Sequence, residues 1–533
     1  MKLLSSLKKL ILILCIALPV GLSAQTAGKT KPNWQNLDLK NDSVFGISTE
    51  KAYNELLEHK KHVPVLVAII DGGVDVDHED LKAVIWNNPH EVAGNGKDDD
   101  KNGYTDDIHG WDFIGGAKGD VHWDDLELTR LIRADNARFA HADTASLKGD
   151  DLVEFGKYKK MKDDFNSQYQ KAKQTYDFIN KFNTIIDTIV INLKKADPTV
   201  DDFKGYTPAN NMQAYVKKIL VENMAEFKGL ADFREKEITP GLTHFKTQLD
   251  YNLNLDFDPR GIVGDNYADI NEHFYGNNDV TGPDADHGTH VAGIVGAVRD
   301  NNIGVKGVAN DVMIMSVRTV PDGDERDKDV ANAIRYATSN GARVINMSFG
   351  KAYSYDKKAV DDAVKYAMSK DVLLIHAAGN DNKNTDSEPN FPNRNYADNS
   401  GLAGAWIEVG ASGMTDDGTL KASFSNYGKT HVDVFAPGVK INSTTPHSTY
   451  GEHDGTSMAA PVVTGLAALI RSYYPKLTAL QVKEIIMKSV VKINHTVVVG
   501  DGDEKKDVAF ADLCISGGVV NAYNALKLAA TYK

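Results

Sequence analysis

Cysteine is nearly absent. The 533 residues hold two, Cys15 and Cys514, and Cys15 lies in an N-terminal stretch that reads as a cleaved leader. No intramolecular disulfide is then available, so the mature chain must be held by packing or by bound ions. Cys514, in Ala511-Asp512-Leu513-Cys514-Ile515, reads as a small buried hydrophobe on a strand. Basic charge is also short, with 60 Lys and Arg against 74 Asp and Glu, a net charge of −14. Such a surface repels nucleic acid and anionic headgroups, which removes both from the expected partners. Beyond the leader no apolar run is long enough to span a bilayer, so no membrane insertion is expected after cleavage. What is present, 42% hydrophobic and 25% charged residues, belongs to a folded globular chain.

The leader has the three parts of an export signal. Lys2, Lys8 and Lys9 precede the apolar run Leu10 to Leu22, and Ser23-Ala24 supply small residues before Gln25. Bulky Ile13-Leu14 before Cys15 argues against a lipid anchor, so the expected location is periplasmic or extracellular. Residues 25–62 form a short lead-in. From 63 onward, buried β-branched runs such as Val63 to Ile70, Val312 to Val317, Arg343 to Met347, Val372 to Ile375 and Trp406 to Val409 alternate with helical patterns such as Asp329 to Asn340 and Lys358 to Ser369. That alternation predicts an α/β domain with a mainly parallel sheet covered on both faces, in two parts, 63–126 and 261–533. The stretch 127–260 interrupts it. Met161, Phe165, Tyr169, Ala172, Tyr176, Ile179, Phe182, Ile186, Val190 and Leu193 recur at helical spacing up to Asp197-Pro198. A second stripe runs from Met212 to Phe233, so the insertion reads as a long α-helical hairpin.

Three segments carry chemistry. Asp71 follows the first buried run directly, at the strand end where open α/β sheets place working groups. His287 opens Asp286-His287-Gly288-Thr289-His290-Val291-Ala292-Gly293, whose small residues suit a tightly packed helix. Two histidines three apart raise the question of zinc, but no third ligand or Glu in the same helix is evident. Ser457 lies in Gly455-Thr456-Ser457-Met458-Ala459-Ala460-Pro461, at the start of an apolar helix whose amides favour negative charge. Pro461 reads as a first-turn residue of that helix.

Together these motifs resemble the subtilisin-like serine proteases, or subtilases, in which Asp, His and Ser occur in that order along the chain. The resemblance covers about residues 60–113 and 275 to the end and does not cover the insertion. It implies a three-layer subtilisin-like fold and a serine endopeptidase of broad specificity, acting on protein or peptide substrates through an acyl-enzyme. Asp71, His287 and Ser457 take the triad roles. Asn380, in Ala377-Ala378-Gly379-Asn380, takes that of oxyanion donor beside the Ser457 amide. Gly72 departs from the Ser or Thr more common there, at the cost of one local hydrogen bond. Ser348, Phe349, Gly350, Ala377, Ala378 and Gly379 are expected to wall the specificity pocket. Their small size predicts a roomy, mainly apolar pocket. The acidic loop Asp322 to Asp329 reads as solvated or ion-paired, with selection of basic substrate residues as the alternative.

No organic cofactor is expected, but structural calcium is. Asp98, Asp100, Asn102 and Asp106 place oxygens at alternate positions with Gly103 sixth, as in an EF-hand loop, although His109 stands at the twelfth. Asp80, with the loop Asp300 to Gly304, falls where many subtilases bind a stabilising calcium. An inactive peptide-binding relative and a metal-dependent hydrolase are the competing classes.

Overall fold

In the computed structural model, which describes residues 31–143, 145–500, 502 and 505–532, the first buried run forms β1 (Val65–Asp71). The leader 1–24 and Cys15 lie outside the described residues. Side chains of β1 alternate strictly between two cores. Val65, Val67 and Ile69 join one cluster, and Leu66, Ala68 and Ile70 join the other. A strand buried on both faces has no polar side to alternate with, hence its continuous apolar sequence.

The other strands of the β1 sheet are β2 (Gly110–Asp112), β3 (Val312–Arg318), β4 (Val344–Met347), β5 (Leu373–Ala377), β6 (Trp406–Ser412), β7 (Val434–Pro437), β8 (Val491–Lys492) and β9 (Gly518–Val519). They form a nine-stranded sheet in the order β8-β9-β7-β6-β5-β4-β1-β3-β2. Every pairing is parallel except β8 with β9. On one face lie α1 (Asp286–Gly296) and α4 (Thr456–Tyr473), and on the other α2 (Asp327–Ser339) and α3 (Lys357–Ser369). The sequence-based expectation of a three-layer α/β fold with a mainly parallel sheet is met. No helix among the described residues is long and apolar enough to cross a membrane.

Contacts separate two compact units, Gly28–Glu127 with Asp258–Lys533, and Leu128–Phe257. The second is built on a helix from Asp150 to Leu193, 44 residues or about 66 Å at 1.5 Å per residue. Its buried stripe includes Met161, Phe165, Ala172, Ile179, Phe182, Ile186 and Ile189. The second stripe of the sequence is not one helix. It stops at Asn223 and restarts at Leu230, followed by Thr239–Thr247. The break is tertiary in origin: a Cβ on Gly229 would stand 2.4 Å from an Asp197 carboxylate oxygen, and the Asp197 side chain accepts from the Ala231 amide at 2.7 Å. Cys514 is buried as expected, but in a bend after the turn Phe510–Asp512 rather than on a strand.

The lead-in is part of the first unit's core. Trp34 is 1% exposed, and its indole N–H donates to the Val439 and Lys440 carbonyls at 3.1 and 3.2 Å. Ile47 accepts from the Ala522 amide at 2.7 Å. Trp34→Ala should therefore lower unfolding stability by about 3–5 kcal/mol, read from the denaturant midpoint. A change below about 1 kcal/mol would show that the strap is loosely held.

Candidate active site

The site lies at the carboxyl ends of three adjacent parallel strands. Asp71 ends β1, Ser348 follows β4 and Asn380 follows β5. Asp71 is 2% exposed, and its Oδ1 pairs with His287 Nδ1 at 2.8 Å and accepts from the Gly72 amide at 2.8 Å. Its buried Oδ2 has no hydrogen-bond partner. That is the bond whose loss Gly72 predicts, in place of a hydroxyl.

His287 stands in the first turn of α1, where Gly288 is required by close approach: a Cβ there would stand 2.1 Å from the Gly73 carbonyl oxygen. Burial works to lower the imidazole pKa, but the Asp71 carboxylate, aided by Asp286 and Asp284, outweighs it and holds the pKa above its ordinary value. His290 does not join it as a metal ligand. Its Nε2 faces the Ile441 and Gly451 carbonyls at 2.9 and 3.1 Å, its ring stacks on His453, and burial drives its pKa down to about 3.

Ser457 is the second residue of α4. Pro461 lies beyond the first turn expected for it, and it has no N–H to give the Ser457 carbonyl four residues back. The Ser348 hydroxyl donates to that carbonyl instead, at 2.8 Å. The Ser457 hydroxyl donates to the Ser348 carbonyl at 3.1 Å and has no hydrogen bond to His287 among the described residues. A turn about its χ1 bond is needed to face the imidazole. Asn380 is fixed by its Oδ1, which accepts from the Thr456 amide and hydroxyl, each at 2.9 Å. The amide Nδ2 is left as a donor beside Ser457.

All four residues line one cleft of about 540 Å³. Ser348, Phe349, Gly350, Ala377 and Gly379 line it too. Ala378 does not: consecutive residues of an extended chain face opposite ways, and Ala378 points into the core with Phe45, Leu420 and Phe435. Thr456, Asp284 and Asn390 are lining residues that the motifs did not single out. Only Thr456 had a signal, its place inside Gly-Thr-Ser.

The acidic loop is ion-paired through its later residues. Asp327 pairs with buried Lys351 at 2.8 Å, a cation shared with Glu127, and Asp329 pairs with Arg260 at 2.6 Å. Arg326, from the same loop, pairs with Asp124 at 2.7 Å. Breaking one such buried pair typically costs about 3–5 kcal/mol, so these charges serve the wall.

The loop expected to bind calcium is arranged differently from expectation. Asp98 caps the Asn102 and Gly103 amides, and Asp106 caps those of Asn95 and Gly96. Asn102 donates its side-chain amide to Asp100 and Asp107. Asp100 meets Glu91 and Asp107 with ligand atoms all within 4.8 Å, the one such acidic or histidine group among the described residues. Glu91 Oε2 there is buried without a hydrogen-bond partner, so this trio fits a hard cation. Asp80 is fully buried, but its two oxygens accept from Asn301 Nδ2 at 2.6 Å and the Val305 amide at 2.9 Å. Its carboxylate ties the loop directly, and it belongs to no cluster of acidic or histidine ligands among the described residues.

The chain belongs to the subtilase family (peptidase S8), whose family model matches residues 64–511. It is 37% identical over 252 residues to a thermophilic serine proteinase of Bacillus sp. (strain AK1), covering 47% of this chain and 56% of that one. It is 35% identical over 217 residues to Subtilisin BL of Lederbergia lenta, covering 40% and 74%. The chain thus spans little more than half the length of the first relative. A protease structure from Pseudoalteromonas arctica PAMC 21717 aligns at 30% identity and a TM-score of 0.40, covering 48% of this chain and 78% of that one.

Asp284 is one of the charges that raise His287, so Asp284→Asn should move the His287 titration midpoint to lower pH in NMR. The fraction of neutral imidazole at a given acidic pH then rises. An unchanged or upward-moving midpoint would contradict this electrostatic account.

Proposed function

We propose that this chain is an exported endopeptidase that cleaves peptide bonds by nucleophilic catalysis at Ser457. The observation that carries the reading is the Asp71–His287 pair at 2.8 Å in the same cleft as Ser457 and an oriented Asn380. A serine hydroxyl is a weak nucleophile at neutral pH, so His287 takes its proton as attack begins. Asp71 holds the tautomer with Nδ1–H and stabilises the imidazolium without taking the proton. The oxyanion sits against Asn380 Nδ2 and the Ser457 amide. His287 then protonates the leaving amine, and water, deprotonated by the same imidazole, hydrolyses the ester. Because the base works only when neutral, turnover falls as pH drops through the raised His287 pKa.

A fluorophosphonate probe is expected to label Ser457, and Ser457→Ala to abolish labelling while lowering kcat by about 10⁶. Asn380→Ala should retain labelling and lower kcat by about 10²–10³, the scale already known from subtilisin itself for one lost oxyanion donor. Peptide cleavage that survives Ser457→Ala would end the reading. Protein and peptide substrates follow from it, and export follows from the leader Met1 to Ala24.

Structural calcium is proposed at Glu91, Asp100 and Asp107. It would offset the charge of three crowded carboxylates, in a chain whose one described cysteine is free. Calcium at 100 times its Kd should stabilise the protein by about 2.7 kcal/mol, a rise in Tm that Glu91→Gln reduces. An equal calcium response in both proteins would move the ion elsewhere.

A further inference from the structure

The walls of the pocket consist of small residues, yet its interior is not open apolar space. Gly350 lacks a side chain because an amide occupies the space beside it. A Cβ on Gly350 would stand 2.6 Å from Asn390 Nδ2 and 2.8 Å from its Oδ1, whereas at Gly379 the crowding group is the Asn426 amide, 2.4 Å from a Cβ, with Asn390 Nδ2 at an ordinary contact distance of 3.5 Å. Asn390 thus packs against the Gly350 wall, touches the Gly379 wall and lines the cleft. Its NH₂ end faces two carbonyls, those of Ala377 and Ala378, at 3.4 Å each. Those acceptors fix the amide's sense, and among the described residues they leave Oδ1 as the end without a protein donor.

A second polar group of the same sign of preference lies next to the oxyanion residue. Asp381 is exposed, lines the same cleft, and holds its backbone through its amide, which donates to Asn426 Oδ1 at 3.0 Å. No ion pair engages its carboxylate among the described residues. Among the described residues the one Arg or Lys lining the cleft does not compensate it. Arg318 is buried and committed to Asp112 at 2.7 Å and to the Gly72 carbonyl at 2.8 Å, and His287 is committed to Asp71. Asp284 adds a further exposed carboxylate to the lining.

An acceptor inside the pocket and a carboxylate at the same cleft suit a side chain with a long apolar stem and a cationic, donor-only head. We propose that Asn390 and Asp381 make this cleft selective for lysine or arginine at the substrate residue that supplies the scissile carbonyl. The proposal rests on the endopeptidase reading and replaces the mainly apolar pocket expected from the small walls. The walls accommodate the methylene stem, Asn390 Oδ1 accepts from the head, and Asp381 supplies the charge. An apolar residue of equal length would leave the Asn390 acceptor dry and unpaired, which disfavours it.

The test is kcat/KM on one peptide series differing only at that residue, Lys, Arg, Gln, Leu or Phe, with fluorophosphonate labelling of Ser457 as an independent measure of the site. Lys and Arg peptides should be cleaved up to about fivefold faster than Leu and Phe peptides, the upper end for one solvated charge pair. That ratio should shrink in high salt. Asp381→Asn should lower the Lys-to-Leu ratio by about fivefold. Asn390→Gly, which empties the pocket, should raise the Phe-to-Lys ratio. A labelled enzyme that prefers Leu or Phe, or whose ratios do not move in either variant, overturns the specificity proposal and leaves the endopeptidase reading intact. A protein that neither labels at Ser457 nor cleaves any peptide overturns both.

Discussion

The structure depends on one helix being immovable. Residues 456–473 run through the larger core with nearly every side chain buried, and Ser457 sits on the first turn. Thr464 anchors the helix to the sheet through Asn346 at 2.8 Å, and Gly465 lets it approach Val308 where a Cβ would stand 2.6 Å from the valine Cβ. With the helix fixed, the exchange between Ser457 and Ser348 fixes the strand end that walls the pocket, and Thr456 fixes Asn380. One buried rod therefore sets Ser457, Asn380 and part of the cleft wall.

Electrostatics divides the acids of the chain into two kinds. Those behind the cleft, such as Asp124, Asp327 and Asp329, are buried and matched by Arg326, Lys351 and Arg260. Burial of that kind is tolerated only with a partner in good geometry. Those facing the cleft, Asp284 and Asp381, keep their charge in water and act at a distance, on the imidazole in one case and in the pocket in the other. The net charge of −14 hides this difference, because it counts both kinds alike.

Much of this was legible in the sequence, for identifiable reasons. Strands buried on both faces leave continuous apolar runs, so the sheet could be read. Asp71, His287 and Ser457 each stand at a strand end or helix start, and it was their order along the chain, with its resemblance to the subtilases, that implied their meeting at one cleft. What failed did so where tertiary contacts decide. Gly229 breaks a helix because Asp197 lies against it. Ala378 was assigned to the pocket with its neighbours, but an extended chain turns it to the core. The loop around Asp100 spends Asp98 and Asp106 on backbone amides, and its acidic partner Glu91 lies outside the spacing pattern. Asn390 sits in a polar loop with nothing around it to mark a pocket residue.

The strap formed by the lead-in has a consequence for biogenesis. Trp34 docks on carbonyls 405 residues further along the chain, and Asp71 meets His287 across 216 residues. A polypeptide emerging from its N-terminus therefore carries its first segment unsatisfied until almost the whole sequence has been made. Contacts of such long range slow folding, because chain closure precedes any gain from packing. They also tie chemical competence to completion. A chain interrupted before residue 457 lacks the serine of the cleft, and one interrupted before 439 has nowhere to seat Trp34.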